Sequence, residues 1–273
     1  HCPNLGAKAD AVKQKAFAVF SLMVLILIIL ACIFPGAITP YHPNEINFKK
    51  KFSPPSRAHP LGTDAFGRDL LARLLYGGRV TIGSSLIIAA GSIAIAVFWA
   101  AISAFLGGIW DELLTRIVDI LMILPSLLFA LLLVSILEPG MRSLILALTL
   151  VRWPGYARIL RGDVIKLLGA EYLTAARALG AQPLFLIWYH IIPNMLPLII
   201  TLFGLSFASS ILSISSLSFL GFGVQLPNPE WGAMINTARQ HLQIYPYLML
   251  FPGLAIVTTI FLTNLSLKLL EKD

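Results

Sequence analysis

Long apolar runs divide this chain into segments, each long enough to cross a bilayer. They cover residues 16–34, 82–106, 116–137, 143–160, 195–220 and 247–267, and a helix needs about 20 apolar residues to traverse the hydrocarbon. Backbone polar groups find no water there and must be satisfied within the segment, which predicts helices. Alternation of period two is missing from these runs, so a closed β-barrel is not expected. The predicted fold class is all-α integral membrane, with six transmembrane helices. Arg152 and Pro154 interrupt the fourth run, and Pro154 is expected to kink it. The layout is a tail at 1–15, a first span at 16–36, an outer loop with an amphipathic helix at 37–79, and a core of five further spans at 80–273.

Composition points the same way. Hydrophobic residues make up 58% of the chain, charged residues 12%, and mean hydropathy is +0.84; soluble domains carry about a quarter charged residues. The net charge of +7 lies on residues flanking the apolar runs, which suits anionic headgroups and gives no reason to expect a nucleic-acid partner. Cys2 lies in a tail and Cys32 in a span, so no disulfide framework is predicted. The chain opens on His1, so Cys2 is not read as a lipidation site. The first run is too long for a signal-peptide core and is read as a retained span. Basic residues divide almost evenly between the two sides, so charge bias does not decide orientation. The leading tail, with Lys8, Lys13 and Lys15 against Asp10, slightly favours an inside N-terminus.

Between the fourth and fifth runs lies a polar-faced stretch, AEYLTAARALGAQPLFLIWYHIIPN, at 170–194. It exceeds the roughly 2–8 residues that usually join helices in a bundle. Glu171 suits the positive end of a helix dipole, and Ala175 and Ala176 are strong helix formers. Gly180 is placed for a left-handed stop, Pro183 for the first turn of a second helix, and Pro193 for its end. An ordinary helical hairpin would use the same Gly and Pro positions. The segment nevertheless resembles the cytoplasmic Glu-Ala-Ala loop of ABC-transporter permeases. Ala175, Ala176, Gly180 and Pro193 match that pattern in type and spacing, whereas Thr174, His190 and Ile192 replace its Glu, first Ile and Leu. Glu171 and Tyr172 lead the Glu-Tyr-x-x-Ala-Ala variant of peptide and nickel importers. The resemblance implies a type I importer fold and a coupling role for Glu171, Tyr172, Ala175, Ala176, Gly180 and Pro193.

A second resemblance lies upstream. The string HPLGTDAFGRDLLARLLYGGRVTI at 59–82 reads as an amphipathic helix capped by Thr63 or Asp64 and ended by Gly77-Gly78, with Asp69 and Arg73 spaced to pair. It is similar to a block of the dipeptide, oligopeptide and nickel permeases, carried here by Gly62, Thr63, Asp64, Arg68, Asp69 and Arg73, with Ala72 replacing the usual Ser. A headgroup-layer helix is the plainer alternative. Downstream, SFLGFG at 218–223 and PEWGAMINTARQ at 229–240, with Trp231 and Gly232, also resemble family blocks on the outer face. The latter is expected to form a short helix, a candidate lid over the outer mouth of the path. Phe251-Pro252-Gly253 is expected to open the last span.

Within the spans, Arg116 and Asp119 are expected to pair, and Pro125 to kink the third helix. Ser206, Ser209, Ser213 and Ser216 form a hydroxyl stripe on the fifth run, suited either to close helix packing or to lining a path. The sequence has no P-loop, no His-Glu-x-x-His, no paired-Cys metal motif and no nucleophile elbow. No catalytic residue, metal site or resident cofactor is expected on this chain.

The resemblance implies a permease subunit of an ATP-driven importer for small peptides, with a nickel or metal-chelate importer as the alternative and a membrane enzyme or scaffold as the remoter one. The implied partners are a second homologous permease, two cytoplasmic ABC ATPases that bind ATP and Mg, and an extracytoplasmic solute-binding protein. The implied setting is a prokaryotic inner membrane with both termini cytoplasmic.

Overall fold

The computed structural model describes residues 5–269. Cys2, Lys272 and the rest of 1–4 and 270–273 lie outside the described residues, as do the side chains of 5–14, 177, 183 and 184. Among the described residues the chain is helical and has no strands; its one isolated β-bridge joins Thr63 and Asp69. Ten helices follow one another: α1 (Leu5–Ile33), α2 (Leu70–Leu106), α3 (Gly108–Ile123), α4 (Ser126–Leu137), α5 (Met141–Leu168), α6 (Glu171–Ala178), α7 (Pro183–Leu186), α8 (Ile192–Phe219), α9 (Trp231–Ala238) and α10 (Tyr247–Leu267).

Where the helices begin and end differs from the reading of the runs, for physical reasons. The expected amphipathic helix and the second span are one helix of 37 residues, about 55 Å long at 1.5 Å per residue. Gly77 and Gly78 do not end it. They let other elements approach: a Cβ on Gly78 would lie 2.7 Å from the Trp231 ring and 2.5 Å from Cys32 Sγ. The cap is Asp69, whose carboxylate accepts from Ala72 N at 2.7 Å, and not Thr63 or Asp64.

The third run is broken. α3 and α4 meet at 86° across Leu124-Pro125, because proline pushes the residue before it into extended backbone, and Leu124 has ψ 132. The expected Arg116–Asp119 pair does not form; Arg116 bonds Glu112, and Asp119 accepts from Arg158. α5 runs through Pro154. Pro252 likewise lies inside α10, which opens five residues earlier at Tyr247.

Among the described residues, four helices are long and apolar enough to cross a membrane, or five if the bent α3–α4 pair forms one span. α5, which carries Arg142, Arg152, Arg158 and Arg161, is not among the helices counted by length and composition. α2 packs along α5 and α8, α4 against α5, and α1 against α10. Small residues permit these approaches: a Cβ on Gly204 of α8 would lie 2.4 Å from Leu267 of α10.

The bundle has two distinct ends. At one, Trp231 Nε1 donates to Leu74 O at 2.9 Å, which joins α9 to the start of α2, and Arg73 of α2 donates to Pro43 O at 3.0 Å. At the other, Asp111 accepts from Ser103 and Arg161, which joins the α2–α3 turn to the last part of α5. Segment 170–194 lies at this second end, between α5 and α8.

Candidate functional site

Segment 170–194 folds as a helix, a corner and a second helical entry. α6 starts at Glu171, and its end is closed by two bonds, Leu179 N to Ala175 O and Ala181 N to Ala176 O, both 3.1 Å. That second bond reaches across the left-handed residue of a Schellman closure. Gly180 occupies this position with φ +85, and a Cβ there would meet nothing within 4 Å. The need for glycine is therefore one of backbone conformation rather than space.

Pro193 does not end the second helix. Proline lacks an N–H and its ring crowds the carbonyl four residues back, here that of Tyr189. The chain inserts a π turn over Ile187–Ile191, closed by Ile192 N to Ile187 O, and continues directly into α8. Such single π turns relieve a proline without breaking the helix. Tyr172 and Asn194 brace the corner, Asn194 Nδ2 lying 3.3 Å from the Tyr172 hydroxyl and 2.6 Å from His190 O.

The corner has two faces. Leu173, Leu186 and Ile191 are buried in a core cluster with Ala157, Leu160, Val164 and Met195, and Ala176 packs at its edge. Glu171, Ala175, Gly180 and Pro193 face outward. So do Leu179, 90% exposed, and Tyr172, Trp188 and Tyr189.

At the opposite end, the 59–73 string forms a clamp of buried polar groups. Asp64 accepts from Phe66 N, Arg68 N and Arg68 Nε at 2.8, 3.0 and 2.6 Å. Arg73 lies 3.5 Å from Asp64 and donates to Pro43 O and Pro227 O at 3.0 and 3.2 Å. Asp69 pairs with His59 at 2.8 Å and not with Arg73. His59 Nε2 lies 3.1 Å from Lys50 Nζ. An ammonium only donates, so Nε2 accepts and Nδ1–H donates to Asp69. Thr63 bonds Ser53 N and Lys50 O. Gly62 and Gly67 adopt φ +79 and +72 against other backbone, and a Cβ on Gly67 would fall 1.8 Å from Asn47 O.

The expected lid helix is part of the packed structure. Trp231 and Gly232 are buried, and a Cβ on Gly232 would lie 2.4 Å from Ser215 O. The preceding Glu230 is wholly buried and caps α9 through Gly232 N and Ala233 N, both at 2.9 Å.

The serine stripe divides between two jobs. Ser206 is buried 3.3 Å from Ser92 of α2, a packing contact. Ser216 bonds Leu212 O within its own helix. Ser209 and Ser213 instead hold the guanidinium of Arg152, with Nη1 to Ser209 Oγ at 2.6 Å, Nη2 to Ser209 O at 2.9 Å and Nη2 to Ser213 Oγ at 2.7 Å. Arg152 was legible in the sequence only as an interruption, although an ionisable residue in a span is itself a signal.

A family profile described as binding-protein-dependent transport system inner membrane component matches residues 92–273. The chain belongs to that family. A second profile, the N-terminal TM domain of oligopeptide transport permease C, matches 11–55.

Among relatives of this permease, the oligopeptide transport system permease protein OppC of Bacillus subtilis is 36% identical, over 91% of this chain and 82% of its own. The dipeptide transport system permease protein DppC of Alkalihalophilus pseudofirmus is 35% identical, over 93% and 83%. The glutathione transport system permease protein GsiD of Escherichia coli is 34% identical, over 93% and 84%. A chain of the inward-facing MetNI methionine ABC transporter shares the fold, with TM-score 0.60 at 15% identity over 73% of this permease and 97% of that chain. The permease is an inner-membrane protein with a type I importer fold.

Proposed function

We propose that this chain is the permease subunit of an ATP-driven importer of small peptides, gripped by its ATPase partners at 170–194. One observation carries the reading: a Gly-cornered knuckle stands exposed at one end of the bundle while Leu173, Leu186 and Ile191 root it in the core. It joins α5 to α8 directly, so a push on its outer face tilts both helices together. Alternating access needs such a rigid transmission between two discrete arrangements. The peptide cargo is supported by the relatives named for oligopeptide, dipeptide and glutathione transport.

In this reading 170–194 faces the cytoplasm, which places both termini there too. Two ABC ATPases supply ATP and Mg, and this chain contributes no hydrolytic residue. A second homologous permease completes the path. A solute-binding protein docks on the platform that the Asp64, Arg68 and Arg73 clamp holds together with Trp231 and Gly232.

The test is reconstitution of the complex expressed with its neighbouring genes, with uptake of a labelled dipeptide and of nickel measured side by side. ATP-dependent peptide uptake is expected. Nickel uptake without peptide uptake, or copurification with no ATPase subunit, would overturn the assignment.

A further inference from the structure

Arg152 lies eleven residues into α5 and is held by Ser209 and Ser213 of α8, one of the candidate spans, so its charge sits at the depth of that span. A guanidinium at such depth is costly, and proteins keep one only where it faces a cavity, a partner or a path. Its partners here are uncharged: two serine hydroxyls and one carbonyl, with the Tyr156 phenol in hydrogen-bonding contact beside them. Its Nε is buried with no hydrogen-bond partner. The positive charge is thus positioned but not neutralised.

The group borders a cavity of about 450 Å³ formed where α3 breaks into α4, lined also by Pro125, Ser126, Gly155, Tyr156 and Ser213. No Asp or Glu lines it among the described residues. Irregular backbone at membrane depth is tolerated where it is buried in protein or borders a wet cavity. The break also turns the uncapped start of α4 toward the same space, and the first N–H groups of a helix have no partners within it and carry partial positive charge. Cation, free N–H groups and cavity all favour an anion.

We propose that Arg152, held by Ser209 and Ser213 beside the α3–α4 break, receives the terminal carboxylate of the peptide as it crosses. This rests on the peptide reading above. Arg152 has two jobs in it: Ser209 and Ser213 fix the guanidinium plane, and its remaining donor capacity is offered to the passing carboxylate. Such a pair is a charge-assisted hydrogen bond, stronger than a neutral one. The binding is transient, because the serines hold the arginine when the cargo leaves.

The experiment uses the reconstituted complex with its binding protein. Uptake is measured for one peptide with a free C-terminal carboxylate and for its C-terminal amide, each at a concentration that saturates the binding protein. In the unsubstituted transporter the acid is expected to move about tenfold faster, the rate equivalent of about 1.4 kcal/mol. Arg152→Gln should bring the acid rate down to that of the amide, and Arg152→Lys should keep most of the preference. Gly155→Asp offers a route that leaves Arg152 in place. A Cβ at Gly155 meets nothing within 4 Å, and three residues along a helix brings the new carboxylate alongside the arginine. It should slow the acid and spare the amide. An acid-to-amide ratio unchanged by Arg152→Gln and Gly155→Asp overturns the proposal, as does a preference of similar size in all three proteins. A transporter that moves neither peptide instead overturns the peptide reading on which the proposal stands.

Discussion

The hydroxyl of Thr81, in the middle of the outer half of α2, donates to the carboxylate of Glu230 at 2.9 Å, although the two are 149 residues apart in the chain. The same hydroxyl oxygen accepts from Trp231 N at 3.3 Å. Glu230 thereby fulfils two tasks: it caps α9 and fastens that helix to α2. Glu230→Ala removes the cap and leaves Gly232 N and Ala233 N without their acceptor, while the Thr81 hydroxyl can still donate to Gly77 O at 3.0 Å. A loss of about 1–3 kcal/mol is expected, read as a lower unfolding temperature of the detergent-solubilised protein. Thr81→Val should lose less, since the cap bonds remain. Equal stability of Glu230→Ala and the parent would contradict this role.

Gly67 and Gly83 offer a contrast. Gly67 has φ +72, and its Cβ would overlap Asn47 O, whereas a Cβ on Gly83 meets nothing within 4 Å. Gly67→Ala should strain the backbone by about 1–2 kcal/mol and in addition push apart the 47–69 clamp, so that little protein accumulates in the membrane. Gly83→Ala should accumulate normally and gain up to about 1 kcal/mol from helix propensity. Immunoblots of membrane fractions check both.

The knuckle makes a prediction about coupling rather than folding. Gly180→Trp places a bulky residue on a left-handed backbone position that points into open space, and Glu171→Lys reverses an exposed charge at the start of α6. Both proteins should insert and assemble with their permease partner, while substrate uptake falls at least tenfold. ATP hydrolysis and uptake measured on the same preparation separate the two effects. Normal uptake by both variants would remove 170–194 from the coupling role.

Asp111 and Arg161 form the tie between the α2–α3 turn and α5, with Nε to Oδ1 at 2.6 Å. Both side chains retain some solvent contact. Asp111→Ala should therefore cost only about 1 kcal/mol. The charge swap Asp111→Arg with Arg161→Asp should restore part of that loss, and a thermal double-mutant cycle measures the coupling directly.

Much of this protein is determined by its sequence alone. Apolar length and the need to satisfy backbone groups in lipid dictate helices, and the turn residues at 170–194 specify a helix, a Gly180 corner and a helix starting at Pro183. These signals are local, so they survive without knowledge of neighbours. Contacts between segments far apart in the chain fix the rest. Gly77 and Gly78 read as a stop until Trp231, Glu230 and Cys32 pack against them. Pro193 reads as a helix end until a π turn absorbs it. Asp69 reads as Arg73's partner until His59 is folded back upon it, and the serine stripe is uniform until Arg152 selects two of its members. Intrinsic preference sets which elements exist; packing across the bundle sets where they end and which polar groups meet, because an unmatched donor or acceptor in a dry interior costs more than any local propensity can supply.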